Sequence, residues 1–289
     1  METAKMLRVL LGVLMFGTLL LVALQASAEV IFEDNFGSAT LAPEWLISPS
    51  TKTVAPYGGS YSLTANPGHL RYTVDAYQTG RTQSTAPDPY GNYYEKSLWL
   101  VHPFFGDQWV LKWAVTYDLR PGQPTNNRNT TFMVREPGDD GQMMAMVARG
   151  IGANDNNPGG TNTMDLYTGA PGDSPTHVIF PPSSGPIPPD SWYFEIERNM
   201  DAMTIRASND GNNSTFEYVH GYTFPAGYLV NEHQDIEFEG NGWKGDNTLP
   251  GYVDFDYIRA DVIPEPSSLL ALGSGLAGLG GVFFRRRRR

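Results

Sequence analysis

Closely spaced turn signals are the feature that most restricts how this chain folds. Its 289 residues include 31 glycines and 22 prolines, and the runs between them are short and rich in aromatic and β-branched residues. No long apolar pattern repeats with the 3.6-residue period of an amphipathic helix. The pattern therefore predicts an all-β protein whose strands form a two-sheet antiparallel β-sandwich of the jelly-roll type.

The predicted strands are distributed along the whole region between the two ends of the chain. Side chains of alternate residues, such as Trp109, Leu111 and Trp113, are predicted to share one face and enter the core. The strands are predicted at Val30–Phe36, Ser60–Thr64, His69–Val74, Lys96–Leu100, Trp109–Asp118, Thr130–Glu136, Gln142–Arg149, Thr163–Tyr167, Thr176–Phe180, Trp192–Arg198, Ala202–Ser208, Phe216–His220, Asp235–Gly240 and Val253–Val262.

The first 28 residues have the composition of a secretory signal peptide. Lys5 and Arg8 give a basic start, and the stretch Val9–Leu24 is almost wholly apolar. Small residues follow at Ala26–Ala28, where a signal peptidase needs them. We expect cleavage after Ala28. The alternative, an N-terminal transmembrane anchor, is disfavoured because the apolar run is short.

The last residues combine three ordered features. A Pro-Glu-Pro triplet comes first, an uncharged and glycine-rich segment follows at Ser267–Phe284, and a cluster of arginines ends the chain. Eighteen helical residues span about 27 Å, which is close to the thickness of the hydrocarbon core of a bilayer. The residues that define the two flanks are Pro264, Glu265 and Pro266, then Arg285, Arg286, Arg287, Arg288 and Arg289.

This order of features resembles the PEP-CTERM sorting signal of Gram-negative bacteria. The resemblance implies recognition by an exosortase, cleavage near the Pro-Glu-Pro triplet, and a transient inner-membrane intermediate held by a C-terminal transmembrane helix. It also implies delivery to the cell surface or the extracellular matrix. The alternative is an ordinary C-terminal anchor. The chain thus divides into a signal peptide (1–28), a β-sandwich domain (29–262) and a sorting signal (263–289).

Cysteine content and charge exclude several classes of function. The chain has no cysteine, so disulfides, thiolate metal sites and cysteine nucleophiles are absent. Its formal net charge of −11 becomes about −16 when the basic and acidic residues of the two targeting ends are removed. We expect no nucleic-acid partner, because phosphate recognition requires lysine and arginine.

Four segments in order resemble the strands of concanavalin A-like, LamG-type jelly rolls. They are Val30–Trp45 (VIFEDNFGSATLAPEW), His102–Tyr117 (HPFFGDQWVLKWAVTY), Trp192–Gly211 (WYFEIERNMDAMTIRASNDG) and Tyr252–Arg259 (YVDFDYIR). The resemblance implies the jelly-roll fold. That superfamily holds lectins, glycan-binding modules, glycosidases and lyases, so the fold alone does not fix the function.

The carboxylates Asp235, Glu237 and Glu239 are the candidate catalytic residues. They alternate with Ile236 and Phe238, so a strand would place all three on one face. The stretch HQDIEFEGN resembles the catalytic strand of family-16 β-glucanases, but the order of Asp and Glu is exchanged and the position is too close to the end of the domain. The alternative is the wet outer face of an ordinary strand, with no catalytic residue.

A structural calcium ion is the only cofactor that the sequence suggests. The first and last strands of jelly rolls are often neighbours, and Ca²⁺ prefers oxygen ligands. Glu33 and Asp34 on the first strand and Asp254 and Asp256 on the last are the candidate ligands. The alternative is a set of exposed acidic residues near strand ends.

Aromatic side chains outside the predicted core suggest sugar stacking. Trp243, within the segment Gly240–Gly245 (GNGWKG), is the candidate ligand-binding residue, whereas Trp99, Trp109, Trp113 and Trp192 lie in strand patterns and are predicted to be buried.

The sequence favours an exported, non-catalytic domain that associates with extracellular polysaccharide or has a structural role in the matrix. Two alternatives remain open. One is a glycoside hydrolase or polysaccharide lyase that uses the strand at residues 235–239. The other is a protein-binding adhesin or matrix scaffold.

Overall fold

The protein was analysed as a computed structural model of the full chain. The structure describes residues 29–48, 60–74, 99–119, 127–136, 143–154, 157–169, 172–180, 189–209, 215–228, 233–243 and 251–263. Within these ranges every regular element is a β-strand, and none contains a helix long and apolar enough to cross a membrane. The predicted signal peptide, Ala28, the Pro-Glu-Pro triplet, the C-terminal helix and Arg285–Arg289 lie outside them.

Fifteen strands make up the described fold, and the compact unit Val30–Asp261 contains all of them except the last residue of β15. In chain order they are β1 (Val30–Asp34), β2 (Leu46–Ser48), β3 (Ser60–Ser62), β4 (Leu70–Val74), β5 (Trp99–Phe105), β6 (Gln108–Asp118), β7 (Asn127–Arg135), β8 (Met143–Asn154), β9 (Asn157–Tyr167), β10 (Thr176–Phe180), β11 (Asp190–Asn199), β12 (Ala202–Ser208), β13 (Tyr218–Thr223), β14 (His233–Trp243) and β15 (Gly251–Val262).

The first sheet has eight strands, in the order β13-β12-β11-β6-β15-β4-β3, with β1 also paired to β15. The long strand β15 lies next to β6 along one edge. Two short strands, β4 and β1, pair with different parts of its other edge. Residues Gly251–Phe255 pair with β4, and Ile258–Asp261 pair with β1. The neighbouring position of the first and last strands, predicted from the sequence, is confirmed.

The second sheet has seven strands, in the order β10-β9-β8-β7-β14-β5-β2. Its pairings are antiparallel throughout the described residues. β14 is an interior strand, paired with β7 on one side and β5 on the other. The two sheets pack as the β-sandwich that the sequence predicted, so the predicted fold class is confirmed.

Burial alternates along β6, a central strand of the eight-stranded sheet. Trp109, Leu111, Trp113, Val115 and Tyr117 are all buried, whereas the residues between them are only partly buried. A strand with this pattern has one face that leaves water and one that stays hydrated. The burial predicted for this face is therefore confirmed.

Aromatic rings from the two sheets stack across the core. Trp113 of β6 lies 3.9 Å from Phe132 of β7 between ring centroids, with the ring planes 15° apart. Phe238 of β14 lies 4.4 Å from Phe255 of β15. Such rings bury a large apolar area, and offset pairs add about 0.5–1.5 kcal/mol beyond that burial. The core thereby fixes how β14 sits over the first sheet.

A two-residue turn joins β11 to β12, whereas a longer segment joins β12 to β13. The two-residue turn between β11 and β12 pairs Asn199 with Ala202, and Met200 takes a φ of 53° there. The Asn-Asp-Gly-Asn stretch that begins at Asn209 has a tight-hairpin composition, but the last paired residues around it are Ala207 and Tyr218. β12 and β13 are therefore antiparallel neighbours joined by a longer connection.

Candidate ligand-binding face

The outer face of the seven-stranded sheet carries two of the predicted carboxylates. On β14, Gln234, Ile236 and Phe238 are buried in the core, so Asp235 and Glu237 point to the opposite face. The prediction that these carboxylates share a face is confirmed by this alternation. The backbone of Glu239 continues β14, but its side chain lies outside the described part of the structure.

Glu237 is held by an arginine from the neighbouring strand. Its carboxylate Oε2 lies 3.4 Å from Nη1 of Arg135 on β7, and the side chains are only 7% and 10% exposed. A carboxylate this far removed from water requires a partner, because burying an unpaired charge is costly. Arg135 therefore fixes the orientation of Glu237 as well as compensating its charge.

Asp235 lies two residues away on the same face and has a different environment. Its Oδ1 lies 3.3 Å from Nε2 of His233 on the same strand. Burial raises the pKa of Asp235 above its ordinary value, although the positive charges of His233, Arg135 and His102 act in the opposite direction. The two carboxylates are thus electrostatically distinct: burial raises the pKa of Asp235, whereas Glu237 forms an ion pair with Arg135.

Strand register extends this site into a row across six strands. Leu46 pairs with Val101, Val101 with Glu237, and Glu237 with Met133. The row continues from Met133 to Met146 and then to Tyr167. Directly paired residues on antiparallel strands share a face. We call these six residues the cross-strand row: Leu46, Val101, Glu237, Met133, Met146 and Tyr167.

The cross-strand row combines apolar contact surface with one fixed polar pair. Leu46 is 54% exposed, whereas Met133, Met146 and Tyr167 are partly buried. Methionine and tyrosine side chains can pack against the flat apolar face of a ligand, while a fixed ion pair can accept and donate hydrogen bonds. A small number of oriented polar groups among apolar ones is the composition expected of a binding surface.

The outer face of the eight-stranded sheet has a different character. Arg206 of β12 bridges Glu195 and Glu197 of β11. Lys112 and Arg259 both contact Asp261 of β15, at 3.3 and 2.8 Å. These charges compensate one another along the strands, so this face consists of cross-strand ion pairs and has less apolar surface to offer a ligand.

The four predicted calcium ligands each have a separate partner. Asp34 accepts hydrogen bonds from the backbone of Phe36 and the indole of Trp45. Glu33 pairs with Arg259, Asp254 with Arg71 in two parallel bonds, and Asp256 with His69. Among the described residues, no group of three or more acidic or histidine side chains is arranged to hold a metal. The calcium site stays a prediction.

Trp243 is the last residue of β14, and its backbone pairs with Asn127 of β7. The sequence placed it in a loop, whereas the structure extends the strand to include it. Its side chain lies outside the described part, so its role in ligand binding stays a prediction.

Trp109, Trp113 and Trp192 are buried as expected, and the side chain of Trp99 also lies outside the described part.

Sequence reasoning did not find Arg135, Met133, Met146 or Tyr167 as neighbours of the carboxylates. Arg135 is 102 residues away from Glu237 in the chain. Each of these residues lies within a predicted strand, but only the pairing of β14 with β7, of β7 with β8 and of β8 with β9 brings them together. The sequence signal that could have found them was the alternation within each strand, combined with a known strand order.

Comparison with known protein families identifies the end of the chain. Residues 262–289 match the PEP-CTERM protein-sorting motif. The chain carries a PEP-CTERM sorting motif. The motif indicates an exported protein that undergoes membrane-associated sorting to the cell surface and processing by an exosortase. It covers only the terminal residues, so it says where the β-sandwich is delivered and nothing about what the β-sandwich binds.

Solved structures share the jelly-roll fold of this chain at low sequence identity. A non-specific endo-β-1,3(4)-glucanase from family GH16 has a TM-score of 0.52 and 11% identity over 82% of this chain and 96% of that chain. The CBM2 module of the evolved Dit of Lactobacillus casei BL23 phage J-1 has a TM-score of 0.50 and 11% identity, over 82% and 98%. At this identity the likeness establishes the fold alone.

The GH43 protein BlXynB from Bacillus licheniformis, in a mutant form, is matched over a smaller share of its own length. The alignment covers 80% of this chain and 39% of that chain, with 11% identity and a TM-score of 0.42. This chain therefore spans about two fifths of that protein. No curated protein matches the chain in sequence.

Proposed function

We propose that this PEP-CTERM protein is an exported glycan-associating protein of the cell surface or exopolysaccharide matrix of a Gram-negative bacterium. Its β-sandwich binds polysaccharide on the outer face of the seven-stranded sheet without cleaving it. The observation that carries the proposal is the ion pair of Glu237 with Arg135 in the middle of the cross-strand row.

The ligand class follows from the chemistry of that face. Pyranose rings present an apolar face that packs on aromatic or thioether side chains, and a rim of hydroxyl groups that both donate and accept hydrogen bonds. Met133, Met146 and Tyr167 supply the first kind of contact, and the partly buried Asp235 supplies the second, on a strand whose position is fixed by the buried pair of Glu237 and Arg135. The acidic composition favours neutral glycans, or glycans bridged to the protein by cations, because anionic chains would be repelled.

The same ion pair argues against catalysis. A carboxylate that acts as a nucleophile or a general base must reach the reacting atom of the substrate. Glu237 is instead held by Arg135 at 3.4 Å, and both side chains are buried. The arrangement stabilises a fixed, charge-compensated surface, which suits recognition more than bond cleavage.

Affinity gel electrophoresis of the protein in gels that contain the exopolysaccharide of the host tests the proposal. We expect retarded migration, and weaker retardation for Tyr167→Ala and Met133→Ala. Thr204→Ala, on the outer face of the other sheet, is the matched control and should migrate like the wild type. Equal retardation of all three variants would place the ligand elsewhere, and Trp243→Ala would then test the end of β14.

Calcium dependence is tested in the same gels. If Asp34, Asp254 and Asp256 support a structural ion, retardation or thermal stability will decrease when a chelator is added. An absence of retardation with and without Ca²⁺ would contradict glycan binding and favour a protein-binding adhesin or a purely structural role in the matrix.

A glycoside hydrolase or polysaccharide lyase is the second candidate, and one observation favours it. Asp235 and Glu237 differ in environment, with the pKa of Asp235 raised by burial. Glycoside hydrolysis uses such a pair, one carboxyl held protonated and the other ionised. Release of reducing or unsaturated ends from a polysaccharide panel, abolished in Glu237→Gln and Asp235→Asn, would establish this activity and overturn the non-catalytic proposal.

A further inference from the structure

The two sheets have outermost strands that lie beside each other. β10 is the last strand of the seven-stranded sheet and β13 is the last strand of the eight-stranded sheet, as far as the described residues go. Each has only one paired neighbour there, β9 for β10 and β12 for β13. Outermost strands present unpaired backbone groups, and such edges invite pairing with another chain.

Both strands also carry exposed apolar side chains. Ile179 of β10 is 75% exposed, and Val219 of β13 is 55% exposed. An edge that combines free backbone groups with β-branched apolar residues is the kind that adds a strand from a second molecule. Something must therefore keep these two strands in place within the sandwich.

A chain of polar side chains connects the two strands. Asp173, in the segment before β10, accepts three hydrogen bonds at Oδ2. They come from the backbone N–H of Thr168 at 2.7 Å, the hydroxyl of Thr168 at 2.6 Å, and Nε2 of His220 at 3.1 Å. The Asp173 side chain is only 3% exposed, and that of His220 is 7% exposed. Asp173 thus joins the end of β9 to β13.

His220 completes the connection through its second ring nitrogen. Nδ1 of His220 lies 3.1 Å from the hydroxyl oxygen of Thr176, the first residue of β10. A threonine hydroxyl can donate to a neutral imidazole or accept from a protonated one. Both nitrogens of His220 therefore keep a partner in either protonation state. The buried side chain of His220, on the eight-stranded sheet, is therefore hydrogen-bonded through both ring nitrogens to residues in or next to β10 of the seven-stranded sheet.

We propose that Asp173, His220 and Thr176 form an edge clasp that locks β10 to β13, so that neither outermost strand detaches from the sandwich and pairs with a second copy of this chain. The clasp connects strands of two different sheets, whereas the backbone hydrogen bonds between paired strands connect strands of the same sheet. Loss of either bond of His220 breaks the connection between the two strands and leaves each one held by its ladder with a single neighbour, β9 for β10 and β12 for β13. The inference does not depend on what the protein binds.

Hydrogen exchange of the full-length protein tests the coupling. In Thr176→Val and His220→Asn, we expect amide exchange in both β10 and β13 to become about tenfold faster together, while β6 and β15 stay protected. His177→Asn is the matched control. It removes the imidazole of His177 on β10, which lies 2.7 Å from Asp165 in the same sheet. This variant should leave amide exchange in β13 unchanged.

The size of the protein as a function of concentration tests protection of the edge. Thr176→Val should form dimers or larger species at concentrations at which the wild type and His177→Asn stay monomeric. If His220→Asn does not fold, Thr176→Val decides the question, since it changes one hydroxyl to a methyl group. Faster exchange in only one of the two strands, or a monomeric Thr176→Val protein with wild-type exchange, would overturn the proposal.

Discussion

Arg149 of β8 and Asp190 of β11 form an ion pair that joins the two sheets through the core. Nη2 of Arg149 lies 3.0 Å from Oδ2 of Asp190, and the same oxygen accepts a hydrogen bond from the indole of Trp192 at 2.9 Å. The arginine side chain is 1% exposed, and its guanidinium also donates to the carbonyl of Thr163. One carboxylate thus organises a buried arginine and a core tryptophan from opposite sheets.

Replacing this arginine should destabilise the sandwich strongly. In Arg149→Met the aliphatic part of the side chain is retained, but Asp190 loses its charged partner and keeps the indole of Trp192, and the carbonyl of Thr163 loses the guanidinium. Removing one member of a buried pair typically costs about 3–5 kcal/mol, and the 30% exposure of Asp190 favours the lower end of that range. Urea denaturation measures the change in the free energy of unfolding.

An exposed ion pair provides the control for that experiment. Glu33→Gln removes a carboxylate that is 47% exposed and pairs with Arg259 at 3.2 Å. Exposed pairs contribute about 0–1 kcal/mol, so this variant should unfold nearly like the wild type. Equal losses in Arg149→Met and Glu33→Gln would contradict a special role for the buried pair.

A second hydrogen bond across the core involves Trp109 of β6 and Gln234 of β14. Nε1 of Trp109 donates to Oε1 of Gln234 at 2.7 Å, and both residues are fully buried. Trp109→Phe should therefore lose the bond as well as volume, and removal of one partner of a buried hydrogen bond costs about 1–3 kcal/mol. Thermal or chemical unfolding measures this loss.

Trp113→Phe is the matched control for Trp109→Phe. Trp113 is equally buried and lies on the same strand, but its indole nitrogen has no hydrogen-bond partner among the described residues. The substitution removes volume together with an unsatisfied donor, so we expect a smaller loss of stability than in Trp109→Phe. A larger loss in Trp113→Phe would show that the stack on Phe132 outweighs the hydrogen bond to Gln234.

Acid should weaken the fold partly through Asp173. Burial acts to raise its pKa, but hydrogen bonds from Thr168 and from His220 lower it below the ordinary value of 3.8. Because the folded state has the lower pKa, the stabilisation is present above pH 3.8 and is lost as pH falls through the folded-state value. As the pH is lowered below 3.8, the free energy of unfolding should fall more steeply in the wild type than in Asp173→Asn.

Asp235 should show the opposite dependence. Its pKa is raised, mainly by burial, so the protonated form is favoured in the folded state. The contribution of Asp235 to the stability of the folded state is greatest below pH 3.8, and it is lost as the pH rises through the raised pKa of Asp235. Asp235→Asn should therefore gain stability relative to the wild type as pH increases from about 3 to about 7. A constant difference between the two proteins over that range would contradict the desolvation of Asp235.

Much of the fold could be predicted because alternation is a local property of the sequence. The predicted bounds of β10 and β12 agree with the structure, and those of β6 differ by one residue at the start. β2 was not predicted, because the three residues Leu46–Ser48 are too few to show a period of two. β14 was predicted to end at Gly240, since glycines usually interrupt strands, yet its pairing with β7 continues to Trp243.

The candidate site was predicted only in part for the same reason. A period of two placed Asp235 and Glu237 on one face, and the structure agrees. It could not supply Arg135, because which strand lies beside β14 depends on the order of strands in the sheet. The burial of Glu237 also escaped prediction: an outer-facing carboxylate is expected to be hydrated, whereas this one is 5% exposed.

The sequence by itself determined the sorting motif, the all-β class and the face to which each side chain of a strand points, because these depend on residues close together in the chain. The tertiary structure decided which strands are neighbours, and with them the ion pairs Glu237–Arg135 and Arg149–Asp190 and the Asp173–His220–Thr176 clasp. Those contacts join segments far apart in sequence, and they exist only because the packing of two aromatic faces fixes the order and register of the strands.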